Sequence, residues 1–501
     1  MESLSLLADG FAGALTLSNL FWVVAGCLLG TAVGVIPGLG SSMAVALLLP
    51  VTFALEPTAA FIMFSGVYFG GLFGDSTMGI LMNTPGQGSA IASTFEGHRM
   101  AKDGRAPQAL ATAAIGAFVG GFTASVLLVF VAPWLARFSS SFGPAEYFAL
   151  ALFAFMATSS VVTDSAVKGL LSLLLGLGIA VIGIDSVTGI PRFTADSQNL
   201  FDGISLVTVT VAVLALGEVF HYATVTRHTP QGTMVASKGR PWLSGKEFRE
   251  AAPAWGRGTA IGLPFGVIPA GGAEIPTFLA YGTERSLDRR RKDPQFGKGA
   301  IRGLAAPEAA GNSTTGMAMG ALLALGLPVS ATAAIMLAAF RQYGLQPGPL
   351  LFERSSDLVW ALLASFFVAM VVLLIINLPF AQVWAKLLLI PAPYLYGGIM
   401  VFCALGIYAS SSALFDLGLL LVLGLIAFVM RLNDFPMAPL IIGMVLGPLA
   451  ETSLRDALVS SAGDPSVLID GPITWVLYGL LAVILLLSIR AKVVSRTRKD
   501  V

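Results

Sequence analysis

Charge is scarce in this chain: Asp, Glu, Lys and Arg supply 11% of its 501 residues, while 56% are hydrophobic. Soluble globular domains carry about 25% charged residues, so an ordinary water-soluble fold is excluded. Cysteine is nearly missing as well. Cys27 and Cys403 lie in apolar stretches far apart, and neither a disulfide framework nor a metal site follows from them. The three histidines, His98, His221 and His228, have no metal-ligand spacing, and no HExxH occurs. Neither "SGKEF" nor "FGKGA" has the glycine five residues ahead of Gly-Lys that a phosphate-binding loop needs, so no ATPase is expected in the chain. "GLFGD" (71–75) breaks the G-x-G-D spacing of an intramembrane aspartyl protease, and no Ser-His-Asp arrangement is evident. An enzyme and a bound organic cofactor are therefore not expected. A net charge of +1 leaves no large surface for nucleic acid. The opening "MESLSLLADG" has no Lys or Arg and so lacks the basic region of a secretory signal.

What is present is apolar sequence from end to end. Ile204–Phe220, Leu358–Leu378, Leu414–Val429 and Ile473–Ile489 are examples. Each is long enough to cross a hydrocarbon layer about 30 Å thick. The expected fold is an all-α polytopic membrane protein embedded in a lipid bilayer.

The few basic residues cluster. They lie around Arg99, Lys102 and Arg105, in the linker from Arg227 to Arg257, in "ERSLDRRRKDPQFGKGAIR" (284–302), and in the tail from Arg490 to Lys499. The positive-inside rule puts all four on the cytoplasmic side, and topology explains them more simply than lipid or partner binding. The acidic loops around Asp185, Asp196 and Asp202, and around Asp456, Asp464 and Asp470, then fall outside.

This creates a conflict at "GTAIGLPFGVIPAGGAEIPTFLAYG" (258–282), which is flanked by cytoplasmic sequence on both sides. It must enter and return. Each arm of about 12 residues reaches only ~17 Å as helix, which makes it a re-entrant hairpin. Backbone of that kind is tolerated at membrane depth only where protein or a wet cavity satisfies it.

The hairpin has a twin. "GCLLGTAVGVIPGLG" (26–40) aligns with "GTAIGLPFGVIPAGG" (258–272) at seven positions, from Gly26, Gly30 and Gly34 through Pro37 and Gly40. "GDSTMG" (74–79) then matches "GNSTTG" (311–316), and "NTPGQGSA" (83–90) matches "GLPVSATA" (326–333) more weakly. The chain reads as an internal duplication with inverted topology. It has two re-entrant or broken-helix hairpins, near 17–55 and 258–282, and roughly eleven further crossings. The expected units are residues 1–221, a cytoplasmic linker 222–257, residues 258–490 and a basic tail 491–501. The N-terminus is expected outside and the C-terminus inside.

Inverted repeats with interrupted helices are a signature of secondary transporters, whose site lies where the interruptions meet. Gly38, Gly40, Ser41 and Ser42 at the first tip, with Asn83, Thr84, Pro85 and Gly86 at the first break, are candidate substrate contacts. A helix starting near Ser41 turns free N–H groups and a positive dipole end toward an anion. Asn312, Ser313 and Ser330 are their candidates in the second half. Asp75, Ser76, Thr77 and Thr314 offer hard oxygens for a coupling ion, Na⁺ or H⁺, with Asp75 and Asn312 as symmetry partners. The plainer alternatives are helix caps and a kinked span whose polar groups satisfy their own backbone. Glu274 and Glu308 lie nearer the cytoplasmic loops and read as interfacial. The Gly26 and Gly258 stripes read as close helix packing.

These motifs resemble one family, the large membrane subunit (TctA type) of tripartite tricarboxylate transporters. The likeness is most specific in "GVIPGLGSSMAVALLLPVTFALEPTAA" (34–60), "ILMNTPGQGSAIASTFEGHRMAKDGRAPQAL" (80–110), "FGKGAIRGLAAPEAAGN" (296–312) and "GLQPGPLLF" (344–352). The resemblance implies a bacterial inner-membrane carrier working with a small membrane subunit and a periplasmic solute-binding protein. It implies import of citrate-like tricarboxylates or dicarboxylates driven by an ion gradient. The family's PGLG falls on Pro37–Gly40, its TPG on Thr84–Gly86 and its APEAANN on Ala306–Asn312. Three departures stand out: "PAGG" at the second tip, Gly311, and Val329 where the second break usually has glycine. A β-branched residue there argues against a positive φ. The competing reading is an anion channel or exporter using the same hairpins without ion coupling.

Overall fold

The computed structural model describes residues 2–36, 39–161, 165–185, 187–225, 234–235, 239, 241–268, 272–483 and 486. Both expected hairpin tips, with Pro37, Gly38 and residues 269–271, lie outside them, as do much of the basic linker and the tail from Arg490.

The first half runs α1 (Glu2–Ala14), α2 (Leu17–Val35), α3 (Ser41–Thr52), α4 (Pro57–Met82), α5 (Ile91–Met100), α6 (Ala106–Ser139), α7 (Pro144–Val161) and α8 (Ala166–Ala180). It closes with α9 (Leu206–Thr210), which continues through a π-helical stretch into α10 (Gly217–Thr224). The second half holds α11 (Gly245–Phe265), α12 (Glu274–Asp288), α13 (Ile301–Leu325), α14 (Ala331–Gln342), α15 (Pro349–Arg354) and α16 (Ser356–Asn377). After these come α17 (Ala381–Ala385), α18 (Ala392–Ser411), α19 (Leu414–Leu432), α20 (Met437–Ser460) and α21 (Pro472–Val483). A two-residue β-ladder, Gly183–Ile184 against Pro191–Arg192, folds the loop between α8 and α9.

Among the described residues, eight helical stretches are long and apolar enough to cross a membrane, and α3, α7, α8 and α21 are apolar but shorter. The all-α polytopic expectation holds. Helices α4 and α13 are buried along almost their whole length, so they form the centre of the molecule. Helices α18 and α19 instead expose large apolar side chains such as Phe402, Leu405, Leu414 and Val429. That is the surface a lipid solvent requires.

Small residues set the central packing. A Cβ added to Gly26, Gly30 or Gly34 of α2 would lie 2.3, 2.5 or 2.2 Å from the carbonyl oxygen of Met63, Val67 or Gly71 in α4. In the second half, Gly258, Gly262 and Gly266 of α11 stand at 2.1, 2.2 and 2.4 Å from the oxygens of Ala306, Ala310 and Thr314 in α13. Only glycine lets the backbones come so close. Both stripes therefore pack helices, as expected.

The two central helices end alike. α4 stops on Asn83 at φ 59°, ψ 28°, and α13 on Gly326 at φ 68°, ψ 23°. A proline-containing break follows each. These caps lie 243 positions apart (83 and 326), and so do the first glycine-contact carbonyls (63 and 306). The "GDSTMG" and "GNSTTG" motifs start only 237 apart (74 and 311). The motif match is therefore out of register with the fold. Asp75 corresponds in place to Ala318, and Asn312 to Phe69, which corrects the expected Asp75–Asn312 partnership. Helix caps and glycine contacts fix the register, whereas short runs of small polar residues recur wherever two helices pack closely.

Candidate functional site

Four helix N-termini converge on one cavity of about 190 Å³. Ser42 comes from the start of α3, and Gln87, Gly88 and Ser89 from the turn leading into α5. Ala273 and Glu274 begin α12, and Ser330, Ala331 and Thr332 begin α14. Tyr68 and Leu72 of α4 form one wall, and Thr314, Thr315 and Ala318 of α13 another. The sequence builds these termini by interruption. Gly40, Gln87 and Ala273 precede their helices without a side-chain cap, while Ser330 accepts from Ala333 N at 3.2 Å. Each helix start leaves backbone N–H groups without an intrahelical acceptor and carries the positive end of the helix dipole. No Arg, Lys or His is among the described residues that line the cavity, and Glu274 is the one carboxylate among them.

A hydroxyl relay joins the hairpin and both breaks. Ser41 donates to Gln87 Oε1 at 3.1 Å and lies 3.0 Å from the Thr332 hydroxyl. Ser41 has a single proton, so Thr332 is the donor to Ser41. The Tyr68 hydroxyl pairs with that of Ser330 at 3.0 Å. Asp75, buried in α4, accepts from Gly86 N at 2.5 Å and Gln87 N at 3.1 Å. Its carboxylate pins the first break by capping two backbone donors.

The structure divides the expected site residues. Ser42 and Ser330 line the cavity, and Gly40 and Ser41 sit directly behind it. Gly86 is held at the rim by Asp75. Asn83 and Thr84 are exposed, with Pro85 half-buried beside them. Asn83 lines a separate basic pocket of about 500 Å³ with His98, Arg99, Lys102 and Arg285. Gly38 lies outside the described residues. Asn312 donates to Glu308 O at 3.0 Å. Ser313 donates to Thr259 O or Ala310 O, and Thr314 to Gly262 O or Ala310 O, within 3.2 Å. Those hydroxyls hold α11 against α13, although Thr314 also borders the cavity.

The four expected ion ligands are not brought together. Asp75 faces the break, Ser76 donates to Glu308 Oε2 at 2.8 Å, and Thr77 borders a void of about 10 Å³ shared with Asn377. Thr314 lies on another helix with its proton on backbone. The cause is helical geometry: consecutive residues point about 100° apart, so a D-S-T run cannot converge on one ion.

Sequence reasoning missed Gln87 and Tyr68, and read as interfacial the Glu274 that lines the cavity. Glu274 was readable as the first residue of the helix after a tip, the position matching Ser42. Tyr68 gave no local signal. The Val329 departure is harmless to the backbone, since neither Gly86 nor Val329 has a positive φ.

Interrupted helices whose N-termini meet at one cavity, with no cation among its described lining residues, define a polytopic membrane protein built around a broken-helix core. Comparison with known proteins makes the assignment specific. The chain belongs to the tripartite tricarboxylate transporter TctA family, which matches residues 20–442. It is 38% identical over 496 residues, 98% of both chains, to an uncharacterized 52.8 kDa protein in the TAR-I ttuC' 3' region of Agrobacterium vitis. It is 36% identical over 240 residues to an uncharacterized protein in the TAR-II ttuC' 3' region of the same organism, covering 48% of this chain and 97% of that one. No solved structure matches it.

Proposed function

We propose that this chain is the large membrane subunit of a secondary carrier that imports a small carboxylate, of the tricarboxylate or dicarboxylate kind, across a bacterial inner membrane. A periplasmic solute-binding protein delivers the substrate, and a small membrane subunit completes the carrier. The observation that carries this reading is the meeting of four helix N-termini at one cavity with no Arg or Lys among its described lining residues. Helix dipoles and free N–H groups hold an anion without a fixed cation, and a co-transported Na⁺ or H⁺ offsets the charge of substrate and Glu274. The common order of hairpin, buried helix, left-handed cap and break in both halves supports the inverted repeat. The basic clusters support a cytoplasmic C-terminus and an outside N-terminus.

The test is uptake of labelled citrate and dicarboxylates into proteoliposomes holding both membrane subunits. Accumulation above equilibrium is expected, dependent on a Na⁺ or pH gradient and on the binding protein. Downhill flux indifferent to both would overturn the carrier in favour of a channel.

A further inference from the structure

Two buried atoms of the cavity residues have no hydrogen-bond partner among the described residues: Gln87 Nε2 and Glu274 Oε2. They are opposite in kind, since an amide nitrogen donates and a carboxylate oxygen accepts. A buried polar atom left unmet is costly, so two in one cavity point to a ligand that answers both. Ser41 holds the Gln87 amide by its oxygen, which leaves the nitrogen as the free end. Glu274 is seated by glycines. A Cβ on Gly88 would lie 2.7 Å from Glu274 Cγ, and one on Gly272 would lie 3.0 Å from Oε2. The chain thus clears space for this carboxylate between Gly88 and Gly272, although no cation among the described lining residues attracts it there.

Resting on the carboxylate reading above, we propose that Gln87 and Glu274 together select a hydroxy acid over its deoxy counterpart. The ligand's carboxylate accepts from Gln87 Nε2 and the helix N-termini, and its hydroxyl donates to Glu274 Oε2. An acid without the hydroxyl leaves Glu274 unmet and sets two carboxylates against each other. Sites built to bond a hydroxyl discriminate strongly against ligands that lack it, whereas a pocket that only fits shape does not.

Equilibrium binding to the full chain, reconstituted with its small subunit, tests this with two pairs of acids. Malate is compared with succinate, and citrate with propane-1,2,3-tricarboxylate. The hydroxy acid is expected to bind at least about tenfold more tightly in each pair, a difference of about 1.4 kcal/mol. Glu274→Leu is expected to bring the ratio close to one without weakening the deoxy acids. Equal binding within the pairs by the unaltered chain overturns the inference and leaves the carboxylate site standing. A ratio that survives in Glu274→Leu overturns it also. If no acid of either pair binds, or if the acids bind but Gln87→Ala and Ser42→Ala leave every affinity unchanged, the cavity reading itself falls and takes the inference with it.

Discussion

Asp75 shows how a buried carboxylate acquires a role from its surroundings. It sits buried about two turns before the end of α4, and its oxygens meet the N–H groups of Gly86 and Gln87 rather than other oxygen ligands. Truncating it strands two backbone donors, on exposed Gly86 and half-buried Gln87, at a combined cost of roughly 1–3 kcal/mol. Asp75→Ala is therefore expected to lower the melting temperature of the solubilised protein and to loosen the first break. Thr77→Ala, whose hydroxyl borders only the small void, is expected to leave it nearly unchanged. Equal melting of the two variants would show that Asp75 does not hold the break. The same carboxylate illustrates what a sequence conceals, because its neighbours Gly86 and Gln87 are eleven and twelve residues away and meet it only after the helix breaks.

At the scale of elements, the glycine stripes are the sharpest test. An alanine at Gly262 places its Cβ 2.2 Å from Ala310 O and 2.3 Å from Ser313 Oγ, both in α13. Overpacking of this kind costs roughly 1–3 kcal/mol or more. Gly262→Ala is expected to melt earlier, whereas Gly282→Ala in α12, with nothing within 4 Å of its added Cβ, is expected to be tolerated. These stripes were legible from spacing alone, since residues four apart share a helix face.

The loop between α8 and α9 is tied to α20 by a different device. Arg192 pairs with Glu451 at 2.6 Å, and Arg455 bridges Asp185 at 2.9 Å and Glu451 at 2.7 Å. The Thr188 hydroxyl and Arg455 hold the Asp185 carboxyl well below the usual carboxylate range. A depressed native pKa contributes stability above the unfolded value, about pH 4, and loses it as pH falls further. Protease protection of this loop is expected to fall on acidification below about pH 4. Arg455→Ala is expected to flatten that dependence. A loop equally protected at pH 3 and pH 7 would count against the clamp.

At the scale of the whole molecule, the two halves meet through side chains that lie far apart in sequence. Ser41 and Thr332 touch across 291 positions, and Phe61 stacks on Phe340 at 3.8 Å. Exchanging both hydroxyls for thiols, Ser41→Cys with Thr332→Cys, is expected to allow a disulfide that stops uptake and is released by reductant. Uptake that continues with the bond formed would show that these termini stay together during transport.

The sequence by itself determined the membrane class, the helix breaks after α4 and α13 and the glycine faces. Each rests on composition or on short-range periodicity, which the backbone geometry of a helix turns directly into structure. Tertiary structure alone decided which polar groups share a cavity. It separated Asp75, Ser76 and Thr77 onto different sides of α4, spent Ser313 and Thr314 on packing, and brought Gln87 and Glu274 to one place. It also showed that the helix ends follow the spacing of the break match (83 and 326) and not that of the 74 and 311 match, six residues shorter. The physical reason is that burial in a close-packed bundle is settled by which helices touch, and that contact is a long-range property no local pattern carries.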